Sequence, residues 1–291
     1  MEIAYYPGCT LQASASLYDE QCKKIFSKIG INLIEIEDWN CCGATSAGKV
    51  NDFLATAMPA RNIGIAETAG FTEMIIPCSA CYSRTIVAQR QMEDNQSLKK
   101  EINRTLVNKV QGNIKISSIL EVLLDKVKCG ELAEQVKKNL KGLTAACYYG
   151  CLLTRFPYHI DIPDNVENPQ SMENIIKVLG VKSLDWSYKT DCCGASAAIN
   201  DEDTALNLMA KIMKDAVARN ANCFVVTCPM CQFNMDAYQD KFCEINGITK
   251  RLPVYFITEL IGLAFGMGIE ELQIDRHFVD CTVLLEELNF L

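Results

Sequence analysis

The sequence lacks the features that mark several large classes of protein. It holds 28 basic and 36 acidic residues, so its net charge of -8 does not suit a nucleic-acid-binding or anionic-membrane-binding surface. Its most apolar stretch, residues 257–269, contains Glu259 and is far shorter than the roughly 20 residues of a membrane-spanning helix. The first ten residues lack the basic flank and apolar core of a signal peptide. We therefore expect a globular cytoplasmic protein that binds no nucleic acid and does not insert into a membrane.

Common cofactor motifs are missing as well. No G-x-G-x-x-G run follows an apolar strand pattern, so a bound nucleotide or flavin is not expected in this chain. The C-x2-C-x2-C-x3-C-P run of bacterial ferredoxins is also absent. Histidine is scarce, and surface positions are expected for both His159 and His277. These absences direct attention to cysteine.

Cysteine is several times more frequent than in an ordinary protein, with 16 among 291 residues. In a reducing cytoplasm such a density indicates metal binding or redox chemistry, and disulfide bonds are the less favoured alternative. Ten of the cysteines form a pattern that occurs twice, as C-x31-CC-x35-CxxC and then as C-x40-CC-x34-CxxC. The flanking residues repeat too: YYPGC matches YYGC, CCGA occurs in both copies, and PCSAC matches TCPMC. The chain therefore contains an internal duplication.

The duplication predicts two homologous domains, residues 1–135 and 136–291, with the join between about Cys129 and Lys141. The extra residues of the second copy lie mostly around 155–169, in a polar, proline-containing stretch that is typical of a surface loop. Residues 268–291 have no counterpart in the first copy. We interpret this C-terminal segment as a docking surface for a partner protein, with packing against its own domain as the alternative.

Each half alternates short apolar runs with helical patterns, which is typical of an α/β protein. Helical patterns include 51–69, 202–218 and a long one at 80–110. We predict two pseudo-symmetric Rossmann-like domains, each with a mostly parallel sheet and crossover helices. The expected strands are residues 3–6, 31–36, 73–76, 114–116, 144–149, 181–184, 223–227 and 253–256.

The repeated cysteines follow the first three expected strands of each half. Because ligand sites of open parallel sheets form at the carboxyl ends of the strands, we expect all five thiols of one half to meet at one edge of its sheet. Helices that begin just after these cysteines would direct backbone N–H groups at a negatively charged group bound there. Each half therefore predicts one site.

Five thiolates in one site are compatible with several occupants. A structural zinc ion uses four ligands, as does a cubane [4Fe-4S] cluster, and either would leave one cysteine over in both copies. Two adjacent thiolates chelate a single ion only through a cramped ring, but they easily reach two irons of one cluster. The CC pair therefore favours a non-standard iron–sulfur assembly, and a zinc-stabilised scaffold stays open as an alternative.

The repeated pattern with CCG at its centre resembles the cysteine-rich CCG domain family, and two such domains in a short chain look like the B subunits of heterodisulfide reductases from methanogenic archaea. The resemblance covers nearly the whole chain. It implies a catalytic role in which two noncubane [4Fe-4S] clusters face each other across the mixed disulfide of coenzyme M and coenzyme B. The implied ligands are Cys9, Cys41, Cys42, Cys78, Cys81, Cys151, Cys192, Cys193, Cys228 and Cys231.

The resemblance also implies partners that deliver electrons. A small ferredoxin-like protein of the same complex would pass them from a flavin-bearing partner, which a hydrogenase or formate dehydrogenase feeds in an electron-bifurcating complex. CCG domains also occur in components of succinate, glycolate and lactate oxidoreductases. An iron–sulfur electron-transfer role in such an enzyme is therefore the alternative function.

Several residues near the cysteines are candidates for a supporting role. Arg84 and Arg155 closely follow cluster cysteines and are predicted to hold an anionic group of the substrate, with a solvated surface position as the alternative. His159, in the inserted loop, is a candidate proton donor to the thiol product.

Other residues near the pattern are assigned to the backbone or the core. Gly43 and Gly194, directly after the CC pairs, are expected to adopt positive φ or to let the backbone approach the cluster. Four tyrosines either shield the sites from water or are ordinary strand residues: Tyr5, Tyr6, Tyr148 and Tyr149. The remaining cysteines are expected to be mostly small buried hydrophobes: Cys22, Cys129, Cys147, Cys223, Cys243 and Cys281.

Overall fold

A computed structural model describes residues 1–44, 46–155 and 164–290. The chain divides into two compact units. The first contains Met1–Val122 and, from the later chain, Arg155; the second contains Leu123–Thr154 and the chain from Asp164 onward. The boundary falls inside the helix Ile119–Lys128. The division of the duplication at residues 135 and 136 stays a prediction.

The first unit is built around a parallel sheet with the strand order β2-β1-β3-β4. Ile3 lies opposite Leu33 in the pairing of β1 with β2, and Ile75 lies opposite Ser117 in the pairing of β3 with β4. The elements are β1 (Glu2–Tyr5), α1 (Ser16–Lys28), β2 (Asn32–Glu35), α2 (Ala47–Val50), α3 (Asp52–Thr68), β3 (Glu73–Ile76), α4 (Ser79–Asp94), α5 (Gln96–Thr105), β4 (Lys115–Ser118) and α6 (Ile119–Lys128).

The second unit repeats this topology with the strand order β6-β5-β7-β8, again all parallel. The same order in both units confirms the prediction of two α/β halves with parallel sheets and crossover helices. The elements are α7 (Glu131–Glu134), β5 (Thr144–Tyr148), α8 (Cys151–Thr154), α9 (Ser171–Val178), β6 (Lys182–Ser183), α10 (Glu202–Ala218), β7 (Cys223–Val226), α11 (Pro229–Ala237), α12 (Gln239–Ile245), β8 (Val254–Phe256), α13 (Ile257–Ala264), α14 (Ile269–Leu272), a 3-10 turn (Ile274–Arg276) and α15 (Thr282–Glu287).

Helix ends follow the local capping chemistry of the sequence. Asn51 caps α3 by accepting the N–H of Phe53 at 2.7 Å, and Asp201 caps the corresponding α10. The single helix expected at 80–110 is wrong, because Asn95 turns away from helical geometry and caps a new helix, α5. None of the helices in the described part of the chain combines the length and apolar character of a bilayer-spanning segment.

The similarity of the halves continues past the cysteines, into the fourth strand and its helix. Glu121 accepts the N–H of Ser118 at 2.6 Å where β4 passes into α6, and Glu259 accepts the N–H of Phe256 at 2.8 Å where β8 passes into α13. A glutamate three residues into each helix thus satisfies a strand-end N–H that the helix leaves without a partner.

The C-terminal segment packs against its own unit over much of its length. Leu272, Ile274 and Leu285 are fully buried. Phe278 and Val283, in contrast, are 72% and 48% exposed. Packing within the unit therefore explains most of the apolar residues here, and docking of a partner stays a proposal for the two exposed ones.

The expected surface position of His277 is wrong, because its side chain is only 1% exposed. Nε2 lies 2.7 Å from Oε1 of Glu259, and Nδ1 lies 3.7 Å from a carboxylate oxygen of Asp236. Two carboxylates buried so close together are costly unless a cation lies beside them. The folded chain meets this requirement with the histidine, which no local pattern around residue 277 indicates.

Candidate metal centres

Three neighbouring strands of each sheet end in a cysteine-containing loop. In the first unit, Cys41 and Cys42 follow β2, Cys9 follows the adjacent β1, and the CxxC pair follows β3. The strands β6, β5 and β7 end in the same way. Because the strands are parallel and adjacent, their carboxyl ends bring the thiols of each half to one edge.

The five thiols of the first half form one connected group. Sγ of Cys9 lies 3.8 Å from Sγ of Cys41. Cys42 accepts hydrogen bonds from Cys41 and Cys81. Cys81 in turn is hydrogen-bonded to Cys78. The structure therefore brings together all five residues that the sequence pattern selected.

The second half has an equivalent group. Cys151 is hydrogen-bonded to Cys192 and lies within electrostatic range of Cys193. The thiol of Cys193 donates to Sγ of Cys231 at 3.8 Å, and Cys231 is hydrogen-bonded to Cys228. In both halves the CxxC thiols and the second thiol of the CC pair are buried, whereas the first cysteine and the first of the CC pair are accessible. Each group thus has one open side.

Crowding moves the pKa values of these thiols apart. A hydrogen bond from Cys81, helped by the charge of Arg84, lowers the pKa of Cys42 to about 7 against the opposing effect of burial. A hydrogen bond from Cys151 similarly lowers the pKa of Cys192 to about 6. The pKa values of the donors, Cys81 and Cys151, are raised by the same hydrogen bonds. Five thiolates at this separation repel one another, so full ionisation requires positive charge in the site.

The turn after each CC pair points backbone N–H groups at sulfur. The N–H of Gly43 lies 3.4 Å from Sγ of Cys41, and the N–H of Gly194 lies 3.3 Å from Sγ of Cys192. Their φ angles are 80° and 76°, which confirms the expected positive φ. These N–H groups stabilise a negatively charged sulfur.

Sequence reasoning missed a second pair of glycines, which precede the first cysteine of each half. Gly8 and Gly150 have φ angles of 78° and 69°. A Cβ atom at Gly8 would lie 2.7 Å from Sγ of Cys81, and one at Gly150 would lie 2.6 Å from Sγ of Cys231. The glycines therefore leave the space into which the last thiol of each group projects. The repeated Gly-Cys dipeptide was the available signal.

A tyrosine lies behind each group of thiols. The hydroxyl of Tyr6 donates to the carbonyl of Asn40 at 2.8 Å, and that of Tyr148 donates to the carbonyl of Asp191 at 2.6 Å. In each case the acceptor is the residue before the CC pair. Both rings are fully buried beside the site cysteines, as shielding from water requires. The neighbouring Tyr5 and Tyr149 turn to acidic side chains instead.

The three predicted substrate contacts differ in their placement. Arg84 is half-buried on α4, and its charge acts on the thiol of Cys42. Arg155 is half-buried four residues after Cys151. His159 lies outside the described residues. Substrate binding by all three residues stays a prediction.

The six other cysteines do not join either group. Five of them are buried, as expected, and Cys129 is exposed. Cys147 lies in β5, and burial raises its pKa well above the ordinary value. Its side chain belongs to the core of the second unit.

The donor set fits an iron–sulfur cluster in each half. Within the described ranges, no three His, Cys, Asp or Glu side chains are arranged as ligands of one metal ion. The ligands of a cluster bind different irons, so they need not converge on one point. Five cysteine sulfurs, backbone N–H groups aimed at sulfur and a glycine-lined gap suit such a cofactor.

Comparison with known proteins is consistent with this arrangement. The family described as "CCG: Cysteine-rich domain" matches residues 3–84 and 145–236. Each matched segment begins in the first strand of its half and ends in the helix after the third strand. Together the two segments contain all ten site cysteines.

Three relatives match over nearly the whole chain. The membrane anchor subunit of the 8-methylmenaquinol:fumarate reductase of Wolinella succinogenes is 32% identical, over 97% of this chain and 99% of that protein. The B subunit of the ferredoxin/F(420)H(2)-dependent CoB-CoM heterodisulfide reductase of Methanosarcina acetivorans is 25% identical, over 99% and 97%. A protein of Archaeoglobus profundus that is described as similar to the B subunit of heterodisulfide reductase is 24% identical, over 91% and 90%.

A solved structure shares the fold. The crystal structure of a hypothetical protein from Helicobacter pylori superposes with a TM-score of 0.77 at 14% sequence identity. The match covers 95% of this chain and 51% of that chain, so this chain spans about half of its length. At this identity the likeness concerns the fold alone.

Proposed function

Because this chain belongs to the cysteine-rich CCG domain family, we propose that it is a redox component of a larger oxidoreductase and holds one iron–sulfur cluster in each half. The proposal rests on one observation, the convergence of five cysteines at one sheet edge in both halves. A bound cluster would supply one-electron transfer. The ten site cysteines would hold the two clusters, and the buried tyrosines Tyr6 and Tyr148 would exclude water from them.

The clusters in this proposal are noncubane [4Fe-4S] clusters, because a CC pair in each group adds a fifth sulfur that a cubane does not use. Protein purified without oxygen should be brown and contain about eight iron atoms per chain. Mössbauer spectra should show iron sites that differ from those of a cubane. Colourless protein with about one zinc ion per half would contradict the proposal and favour a zinc-stabilised scaffold.

The reaction we propose is reduction of the mixed disulfide of coenzyme M and coenzyme B to two thiols. Cleaving a disulfide takes two electrons, and two one-electron sites in one chain match that requirement. Arg84, half-buried near Cys42, is suited to hold an anionic group of the substrate. Arg155 and His159 are proposed as a second anion contact and as a proton donor to a released thiol.

Partners would supply the electrons. We place a ferredoxin-like protein next to this chain in the transfer order, and a flavin-bearing protein before it. A hydrogenase or formate dehydrogenase would feed the flavin. The relatives from Methanosarcina acetivorans, whose names describe parts of larger enzymes, support an assembly of several chains.

A second candidate function is that of an iron–sulfur component in a quinol-linked fumarate or succinate oxidoreductase. It is favoured by the 32% identity to the Wolinella succinogenes fumarate reductase relative, which is higher than the 25% identity to the heterodisulfide reductase relative. The same ten cysteines would serve, but the chain would pass electrons and would not bind a disulfide.

One experiment separates the two candidates. The complex is isolated without oxygen through a tag on this chain, and its other components are identified by mass spectrometry. Reduction of the heterodisulfide and quinol-dependent reduction of fumarate are then measured on the same preparation. Disulfide reduction that is lost in Cys42→Ala supports the first function. Fumarate reduction without disulfide reduction contradicts it and supports the second.

A further inference from the structure

Three buried side-chain hydroxyls have no hydrogen-bond partner within the described residues, and all three lie close to site cysteines. They belong to Ser79, Thr154 and Thr227, which are 1%, 4% and 2% exposed. Ser79 follows Cys78, Thr227 precedes Cys228, and Thr154 comes three residues after Cys151. Thr154 borders residues outside the described ranges, so the inference concerns Ser79 and Thr227.

A buried hydroxyl without a partner destabilises the folded chain, and most such groups in proteins are hydrogen-bonded. A hydroxyl farther from the site follows this rule: Thr85, four residues after Cys81, donates to the carbonyl of that cysteine at 2.7 Å. Ser79 is the first residue of α4, and Thr227 lies between β7 and α11. Both therefore lie at the sheet edge where the thiols meet, and the partner they need is expected there.

We propose that Ser79 and Thr227 each donate an O–H hydrogen bond to a sulfur atom of the cluster in their own half, and thereby raise its reduction potential. This inference rests on the proposed function, because it requires the clusters. Reduction adds one electron to a cluster, and the hydroxyl keeps its proton throughout. A hydrogen bond to sulfur stabilises the more negative, reduced state more than the oxidised one, so the potential rises.

The two halves place the hydroxyl on opposite sides of the same cysteine. The first half reads Pro77-Cys78-Ser79, whereas the second reads Thr227-Cys228-Pro229. Proline and hydroxyl have thus exchanged positions, and proline has neither a hydroxyl nor an N–H to offer. Each cluster therefore receives one hydroxyl, but from a different direction. The two clusters are predicted to be chemically distinct despite their equivalent ligands.

The test uses matched variants of the full-length protein purified without oxygen. Ser79→Ala and Thr227→Val remove the hydroxyl, whereas Ser79→Thr and Thr227→Ser retain it. Redox titration followed by electron paramagnetic resonance should show a lower midpoint potential for one cluster in each deletion variant. The expected change is about tenfold in the reduction equilibrium, which for one electron is about 59 mV. The other cluster and both hydroxyl-retaining variants should titrate like the unmodified protein.

A second readout detects the proton itself. In electron-nuclear double resonance, an exchangeable proton coupling that disappears in deuterated water should be present in the unmodified protein and absent in Ser79→Ala or Thr227→Val. Iron-containing variants with unchanged potentials and unchanged couplings overturn this inference and leave the proposed function intact. Unmodified protein without iron overturns both. Loss of iron in a deletion variant that the hydroxyl-retaining variant restores supports the contact with the cluster.

Discussion

The two halves of the chain are alike at the sheet edge and differ one layer behind it. At the edge both have a positive-φ glycine before the first cysteine, a positive-φ glycine after the CC pair and a buried tyrosine bonded to the preceding carbonyl. Behind the edge, Tyr5 meets Asp19 and a partly exposed Lys23, whereas Tyr149 meets Glu173 and a buried Lys189.

The buried ion pair explains how the second half accommodates its insert. Nζ of Lys189 lies 2.7 Å from Glu173 and also donates to Oδ1 of Asn168 and the carbonyl of Pro169. The backbone carbonyl of Lys189 accepts the N–H groups of Tyr149 and Gly150, next to Cys151. The end of the insert is therefore tied to the turn that presents the first cysteine. A change in spacing of nine residues, from x31 to x40, thus leaves the ligand geometry similar.

The strongest way to break the likeness of the halves is to remove one ligand from each. Cys42→Ala and Cys193→Ala should each lower the iron content from about eight to about four atoms per chain and abolish turnover of the complex. The fold should persist, because each half has its own core. Iron analysis and circular dichroism check this expectation. Cys129→Ala, at an exposed cysteine outside both groups, is the control, and full activity in both ligand variants would rule out the scheme.

The glycine before the first cysteine offers a steric test of the shared edge. Gly8→Ala and Gly150→Ala would place Cβ at 2.7 Å and 2.6 Å from a ligand sulfur, so each should reduce the iron content of its own half. Gly30→Ala and Gly247→Ala are matched controls, because they have φ of 77° and 64° but no atom within 4 Å of the added Cβ.

The controls should cost only the backbone strain of about 1–2 kcal/mol and retain iron. Iron quantification and chemical denaturation of all four variants provide the measurement. Equal iron contents in clash and control variants would mean that the close approach to sulfur does not matter.

The supporting ion pairs sharpen the difference between the halves. Lys189→Met leaves Glu173 buried without its cation and should lower the free energy of unfolding by about 3–5 kcal/mol. Lys23→Met removes a lysine that is 41% exposed and should cost less than about 1 kcal/mol. Urea denaturation followed by the fluorescence of Trp186 in the second unit and Trp39 in the first reports the two effects separately. Similar losses for both substitutions would contradict this distinction.

The smallest expected effect is a pH dependence confined to the second unit. Burial by itself would lower the pKa of His277, but the charge of Glu259 and hydrogen bonds to Cys281 and Glu259 outweigh it and raise the pKa well above the ordinary value. Burial also raises the pKa of Asp236. Both groups bind protons more tightly in the folded state, so their contribution to stability falls as the pH rises.

The contribution of His277 is complete below its ordinary pKa of about 6.5 and is lost as the pH rises through the folded-state value. Residues 1–122 of the first unit contain no histidine, so this source of pH dependence is absent there. Denaturation curves at neutral and alkaline pH, followed by Trp186, should show the loss, and His277→Gln should reduce it. An unchanged pH profile in His277→Gln would contradict the assignment.

The sequence predicted the strands and the sites better than the contacts between distant residues. Strand positions agree to within two residues at each end, because apolar runs in a parallel sheet are buried on both faces. The break at Asn95 was missed, since its capping competes with a continuous helical pattern. The burial of His277 was missed because its partners, Asp236 and Glu259, lie 41 and 18 residues away in the sequence.

The amino-acid sequence by itself determined that two sets of five cysteines follow three neighbouring parallel strands, because repeat spacing and strand periodicity are local properties. Only the tertiary structure decided which sulfurs touch, which glycines make room for them and which hydroxyls are left without partners. Those features depend on differences of about 1 Å between segments far apart in the chain, and close packing sets such distances only when the whole fold is assembled.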